Sequence, residues 1–143
     1  MVNQSVLQER LDALQDYVDK LRSFQHLSLD VLTDPENFTT YWAIQHGLQM
    51  AIQCVIDIAT HLQASLRLGR PSEYREAILL LGKGNILPPD FAQKMSAVAG
   101  FRNILVHEYM AVDPALIHQA LQTGLDDFEL FINYIHAYLN QQD

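Results

Sequence analysis

Apolar residues recur along this chain with a helical period almost everywhere. Leu7, Leu11, Leu14, Val18 and Leu21 follow a 4-3-4-3 spacing, which places them on one face and predicts a first helix of roughly 25 residues. Asp34-Pro35-Glu36 has the order of an N-cap, a first-turn proline and an acidic first turn, so a second helix starts there or a few residues later. Its apolar positions (Tyr41, Ile44, Leu48, Ala51, Ile52, Val55, Ile58, Ala59, Leu62 and Leu66) extend it to about 40–45 Å. Leu68-Gly69-Arg70-Pro71 breaks the pattern, and Ser72 is a candidate cap for a short helix over 73–81 that stops at Gly82-Lys83-Gly84-Asn85. Pro88-Pro89-Asp90 opens another helix, with Phe91, Met95, Val98, Phe101, Leu105 and Val106 offered to a core. Asp113-Pro114 begins the last, where Leu116, Ile117, Ala120, Leu121, Leu125, Phe128, Ile132, Ile135 and Leu139 form a wide stripe. No period-two segment or repeat interrupts this order. The expected fold is all-α, an antiparallel bundle of four principal helices plus one short helix, in a single domain over 1–143.

Composition narrows the picture. The chain has the length of one domain that can bury a core without disulfides or metals, and 49% hydrophobic against 18% charged residues excludes disorder. The single cysteine, Cys54, lies in QCVIDIA and is expected to be an inert core thiol in a reducing, cytoplasmic setting. MVNQSVLQERLDALQ has neither a basic start nor an apolar run, so no signal peptide is expected. Gln45, His46, Gln49, Gln53, Asp57 and His61 interrupt the apolar stretch 41–66, which marks a helix with a polar side and not a membrane span. Nine Lys and Arg against seventeen Asp and Glu, a net charge of −8, exclude a broad basic face. Contact with RNA would need a local positive patch, such as one assembled across an oligomer.

The unusual segment is FRNILVHEY, 101–109. Projected on an ideal helix with Arg102 at zero, Asn103 lies at about 100°, His107 at about 140° and Tyr109 at about −20°. Asn103 and His107 are i,i+4 neighbours, whereas Arg102 and Tyr109 lie on the other side. A straight helix therefore points the arginine and the histidine apart. They serve one site only if the helix frays or a second chain contributes. A purely structural account is also available: a histidine complementing the helix dipole, a snorkelling arginine and a core tyrosine with a wet hydroxyl.

Asp57 and His61 form another i,i+4 pair. Two ligands do not make a metal site, so they read as a buried hydrogen-bonded pair or as support for Arg102 or His107. His26, His46, His118 and His136 scatter over different faces. Gly82-Lys83-Gly84 lacks the rest of a P-loop and reads as a helix terminator. Asp126, Asp127 and Glu129 form an acidic patch, a solvated face that could repel RNA or bind a partner.

Arg102-Asn103-x-x-x-His107-x-Tyr109, late in a helical chain and followed by an Asp-Pro-capped helix, resembles the signature of the HEPN superfamily and, more narrowly, of HepT-like toxins. YWAIQHGLQMAIQCVIDIATHL, PSEYREAILLLGKGNIL and MSAVAGFRNILVHEY are similar to that family's long helix, connecting helix and motif helix, so the resemblance covers about residues 30–140. It implies a homodimer whose Arg102 and His107 line a composite cleft and cleave RNA, a tRNA or an mRNA, without metal or other cofactor. Asn103 and Asp57 would support them. It further implies a toxin paired, in a type VII-like system, with an MntA-type nucleotidyltransferase antitoxin that adds AMP to Tyr109. The residue types suit that chemistry, since a group titrating near neutrality moves the proton and a fixed guanidinium steadies phosphoryl charge. The alternative is a non-catalytic HEPN module that presents substrate or nucleotide to the nucleotidyltransferase, and no membrane association is expected of either.

Overall fold

The computed structural model describes residues 2–107 and 112–141, and every regular element among them is helical. The first, α1 (Gln4–Arg22), starts where the Asn3 side chain accepts a hydrogen bond from the Val6 amide at 3.2 Å. That bond satisfies one of the donors a first turn leaves unpaired. All five apolar positions of its predicted stripe are buried. The helix ends earlier than expected, at Arg22, and turns carry the chain on to Leu27. A second short helix, α2 (Leu29–Thr33), capped by Ser28, was not expected, because five residues are too few to display a period.

Asp34 caps a single 3-10 turn, Pro35–Asn37, through the Glu36 amide at 3.0 Å, and α3 (Phe38–Ser65) follows directly. The remaining elements are α4 (Tyr74–Lys83), α5 (Pro89–His107), α6 (Pro114–Gln119) and α7 (Leu125–Asn140). α3 is the hub of the bundle, packing against α1, α2, α4, α5 and α7. Its buried residues include Cys54, Val55, Ile56, Ile58 and Ala59, five of six successive positions, which cover more than one face of a helix. Cys54 is only 8% exposed. Burial pushes its thiol pKa up, Asp57 adds to the effect and Arg10 opposes it, as befits an unreactive core cysteine.

The start of α4 differs in detail from the expectation. Glu73, not Ser72, is the N-cap, and it makes no side-chain cap bond. Instead Glu76 reaches back and accepts from the Ser72 amide at 2.9 Å and hydroxyl at 3.1 Å, half of a capping box shifted by one residue. At the other end only part of Gly82-Lys83-Gly84-Asn85 terminates the helix. Gly84 is the C-cap, and Asn85 takes the left-handed conformation (φ 59°) as the Ile86 amide bonds back to the Leu81 carbonyl at 3.0 Å. Gly82 belongs to the helix itself. A Cβ built on it would lie 2.9 Å from the Ala92 Cβ and 3.4 Å from the Pro89 Cα, so this glycine lets α4 and α5 approach closely.

The predicted last helix contains an irregularity. Between α6 and α7 the chain makes a wider, π-type turn at Ala120–Gly124. Ile117, Leu121 and Leu125 are spaced by four, and all are buried. Such spacing drifts off one face of an α-helix, and the wider turn absorbs the drift. The turn is braced from outside, since the Gln25 side chain donates to the Leu121 carbonyl at 3.0 Å. The acidic patch is not a free surface either. Asp126 and Glu129 hold Arg22 at 2.9 and 2.8 Å, and Asp127 holds Lys94 at 3.1 Å. The hydrogen bonds from Arg22, to Glu129 first and then to Asp126, raise the arginine's pKa further.

Gly82→Ala should destabilise the fold by about 1–3 kcal/mol, the size of a small-to-large change at a tight contact. Urea denaturation would measure it, and an unchanged midpoint would contradict the close approach of α4 and α5.

Candidate functional site

Three of the predicted site residues, Arg102, Asn103 and His107, lie in the last two turns of α5. Arg102 is half-buried and turned toward α3, where its Nε–H donates to Gln53 Oε1 at 3.1 Å. Gln53 in turn donates through Nε2 to Asp57 Oδ1 at 2.8 Å, and the second Asp57 oxygen lies 3.9 Å from Arg10 Nε on α1. The orientation of the Gln53 amide follows from its neighbours. Reversing it would set its NH₂ against a guanidinium that only donates and its oxygen against a carboxylate that only accepts. Asp57 therefore supports Arg102 through Gln53 and not by direct contact. The expected bond between Asp57 and His61 is replaced by this one, and His61 Nε2 accepts from the Asn3 amide at 3.4 Å.

The neutral acceptor matters chemically. A carboxylate directly against Arg102 would cancel its charge as well as orient it, whereas an amide orients the guanidinium and leaves the positive charge available to an anion. A second contact fixes the group from α4, where the guanidinium carbon sits 5.4 Å from the centre of the Tyr74 ring, within range of a cation–π interaction.

Asn103 and His107 are both exposed, and His107 is the last residue of α5. Asn103 lines an open cleft of about 360 Å³ together with Ser72, Glu73, Tyr74, Arg75, Ala99 and Gly100. On the other side of Tyr74 a depression of about 440 Å³ is lined by Arg10, Gln53, Asp57 and His61. Arg102, Asn103, Asp57 and His61 thus gather around the α3–α4–α5 junction. His107 stays apart, turned about 140° from Arg102 by the helical repeat. Tyr109 lies outside the described residues. Among the described residues no three His, Cys, Asp or Glu side chains converge as a metal would require.

Gln53 and Tyr74 were not singled out from the sequence. Gln53 leaves a trace there, because Gln8–Asp12 and Gln15–Asp19 on α1 make the same i,i+4 bond, at 2.8 and 2.9 Å. The trace marks the local pair but not its junction with Arg102, 49 residues away. Tyr74 leaves no such signal.

The family model "Ribonuclease HepT-like" matches residues 14–135. A tRNA nuclease HepT of Aphanizomenon flos-aquae is 33% identical over 134 residues, 94% of this chain and 90% of that protein. An mRNA nuclease HepT of Shewanella oneidensis is 31% identical over 102 residues, 71% and 77% of the two chains. Among solved structures, the tri-AMPylated Shewanella oneidensis HEPN toxin in complex with MNT antitoxin superposes with a TM-score of 0.82 at 25% identity, covering 92% of this chain and 97% of that one.

A double-mutant cycle on stability tests the geometry without reference to activity. Arg102→Ala and Gln53→Ala should couple by about 0.5–1.5 kcal/mol, one part-buried hydrogen bond, while Arg102→Ala and His107→Ala should add independently. Additivity in the first pair would contradict the Arg102–Gln53 bond.

Proposed function

The chain belongs to the HepT-like ribonuclease family, and from that premise we propose that it is the toxin of a HepT/MntA-type pair, a metal-independent endoribonuclease acting through a site shared by two protomers. The observation that carries this reading is an oriented but uncancelled Arg102 on the same helix as an exposed Asn103 and His107. In the proposed reaction a ribose 2′-oxygen attacks the adjacent phosphorus and loses its proton to one His107. The bond from phosphorus to the 5′-oxygen breaks, and that oxygen takes a proton from a second His107. The products are a cyclic phosphate and a free 5′-hydroxyl. Arg102 steadies the charge that builds on the non-bridging oxygens, and Asn103 orients the phosphate or His107.

Two copies are required because one chain turns Arg102 and His107 apart. The dimer is supported by an apolar groove between α3, α5 and α6–α7, where Leu48, Ile52, Phe101 and the 41%-exposed Leu116 meet. The whole chain, 1–143, is read as one HEPN-like domain acting on RNA in the cytoplasm. Among the described residues no helix is long and apolar enough to cross a membrane. The proposed antitoxin is an MntA-type nucleotidyltransferase that adds AMP to Tyr109, two positions after His107 in the sequence. A negative phosphate there would compete with RNA for Arg102.

Purified protein should cut RNA in the presence of EDTA, and His107→Ala and Arg102→Ala should each lower the rate by about 10²–10³-fold. Mixing wild-type protein with an excess of His107→Ala should suppress the wild-type activity, because each mixed dimer then lacks one of the two histidines its cleft needs. Wild-type activity unchanged by the excess, in dimers shown to exchange, would place the whole site in a single chain. Co-expression with the nucleotidyltransferase should add AMP to the wild-type mass but not to Tyr109→Phe. Unmodified wild-type protein that is nonetheless silenced would remove Tyr109 from the mechanism.

A further inference from the structure

Apart from Asn103, the cleft between the first turn of α4 and the face of α5 is not used by the chemistry above. Tyr74 is 46% exposed although it already touches Arg102. Arg75 beside it is exposed and, among the described residues, makes no ion pair. Gly100 forms part of the floor, and a Cβ built on it would meet nothing within 4 Å. A glycine inside a helix weakens it relative to alanine, and no packing among the described residues requires this one. Its effect is to keep the floor open.

Charge is distributed to match. Lys20, Arg22 and Lys94 are held by Asp16, by Asp126 and Glu129, and by Asp127. Among the described residues Arg67, Arg70, Arg75, Lys83 and Arg102 make no ion pair. All five fall between positions 67 and 102, where the only acids are Glu73, Glu76 and Asp90. A chain of net charge −8 thus keeps its unpaired cations around α4 and the base of Arg102.

We propose that this cleft is an RNA subsite in which one nucleobase stacks on Tyr74 and the neighbouring phosphate is held by Arg75. Exposed aromatic rings beside unpaired arginines are how single-stranded nucleic acid is held without base-edge readout. Asn103 on the cleft wall and Arg102 against Tyr74 make the subsite continuous with the cleavage site. The strand would therefore enter over α4 and reach Arg102 at the next phosphate. Glu73 also lines the cleft and opposes the phosphate. The proposal rests on the ribonuclease reading above and assigns the path of its substrate.

The test uses a fluorescent 2′-O-methyl RNA oligonucleotide, which lacks the attacking hydroxyl and cannot be cut. Tyr74→Leu should weaken binding roughly tenfold, the order of one base stacked on an aromatic ring, and Tyr74→Phe should keep it. The same loss in an Arg102→Ala background would separate stacking from a displaced arginine. Arg75→Gln should flatten the salt dependence by about one phosphate contact, and Glu73→Gln should tighten binding. Gly100→Leu should block the cleft with no fall in melting temperature. If Tyr74→Leu and Gly100→Leu bind and cut as wild type does, the subsite is overturned while the ribonuclease reading stands. If Gly100→Leu instead splits the dimer, the cleft is a protein interface and the proposal falls. Wild-type protein that neither cuts ordinary RNA nor binds the methylated strand would overturn both readings.

Discussion

Because α3 is walled in by α1, α4 and α5, a polar side chain on it must find a partner inside the bundle or reach an edge. Gln53 does the former, and its choice organises the site. Its amide oxygen receives Arg102 from α5 and its amide nitrogen gives to Asp57, which lies 3.9 Å from Arg10 on α1. Three helices are thus registered by one alternating line of donors and acceptors. A half-buried amide between a cation and an anion has only one satisfied orientation, so the line resists rotation of α5 about its own axis. It is that rotation which decides where Arg102 points.

The same line explains how an arginine can be both held and usable. A direct ion pair with Asp57 would be electrostatically stronger but would leave little charge for a phosphate. Placing Gln53 between them keeps the orientation and spreads the neutralisation over a longer distance, where it is weaker. Tyr74 closes the other side of the guanidinium with an interaction that likewise leaves the charge in place.

Charge pairing at the surface extends this division of the molecule. Exposed ion pairs add little stability, so the contacts of α7 with Arg22 and Lys94 matter mainly for where charge is left over. They engage Arg22 and Lys94 and leave Arg67, Arg70, Arg75, Lys83 and Arg102 without an ion pair among the described residues. An acidic protein can in this way present a local basic surface. The acidic patch that reads in isolation as a possible partner site is the counterpart of that arrangement.

The principal helices and some of their starts were legible in the sequence because the signals are local. Burial every three or four residues, the caps at Asp34 and Asp113, and the prolines at first turns each involve side chains within one or two turns of each other. The motif of Arg102, Asn103 and His107 was legible for the same reason, as was the divergence of its two charged residues on a straight helix. What the tertiary structure alone decided lies across long separations. Gln53 meets Arg102 over 49 residues, Gln25 braces the π-type turn over 96, and Tyr74 reaches Arg102 from a different helix. Each depends on how far one helix is turned and slid against another. That is set by the fit of whole apolar faces, as at Gly82 against Ala92, and no repeat within a single helix encodes it.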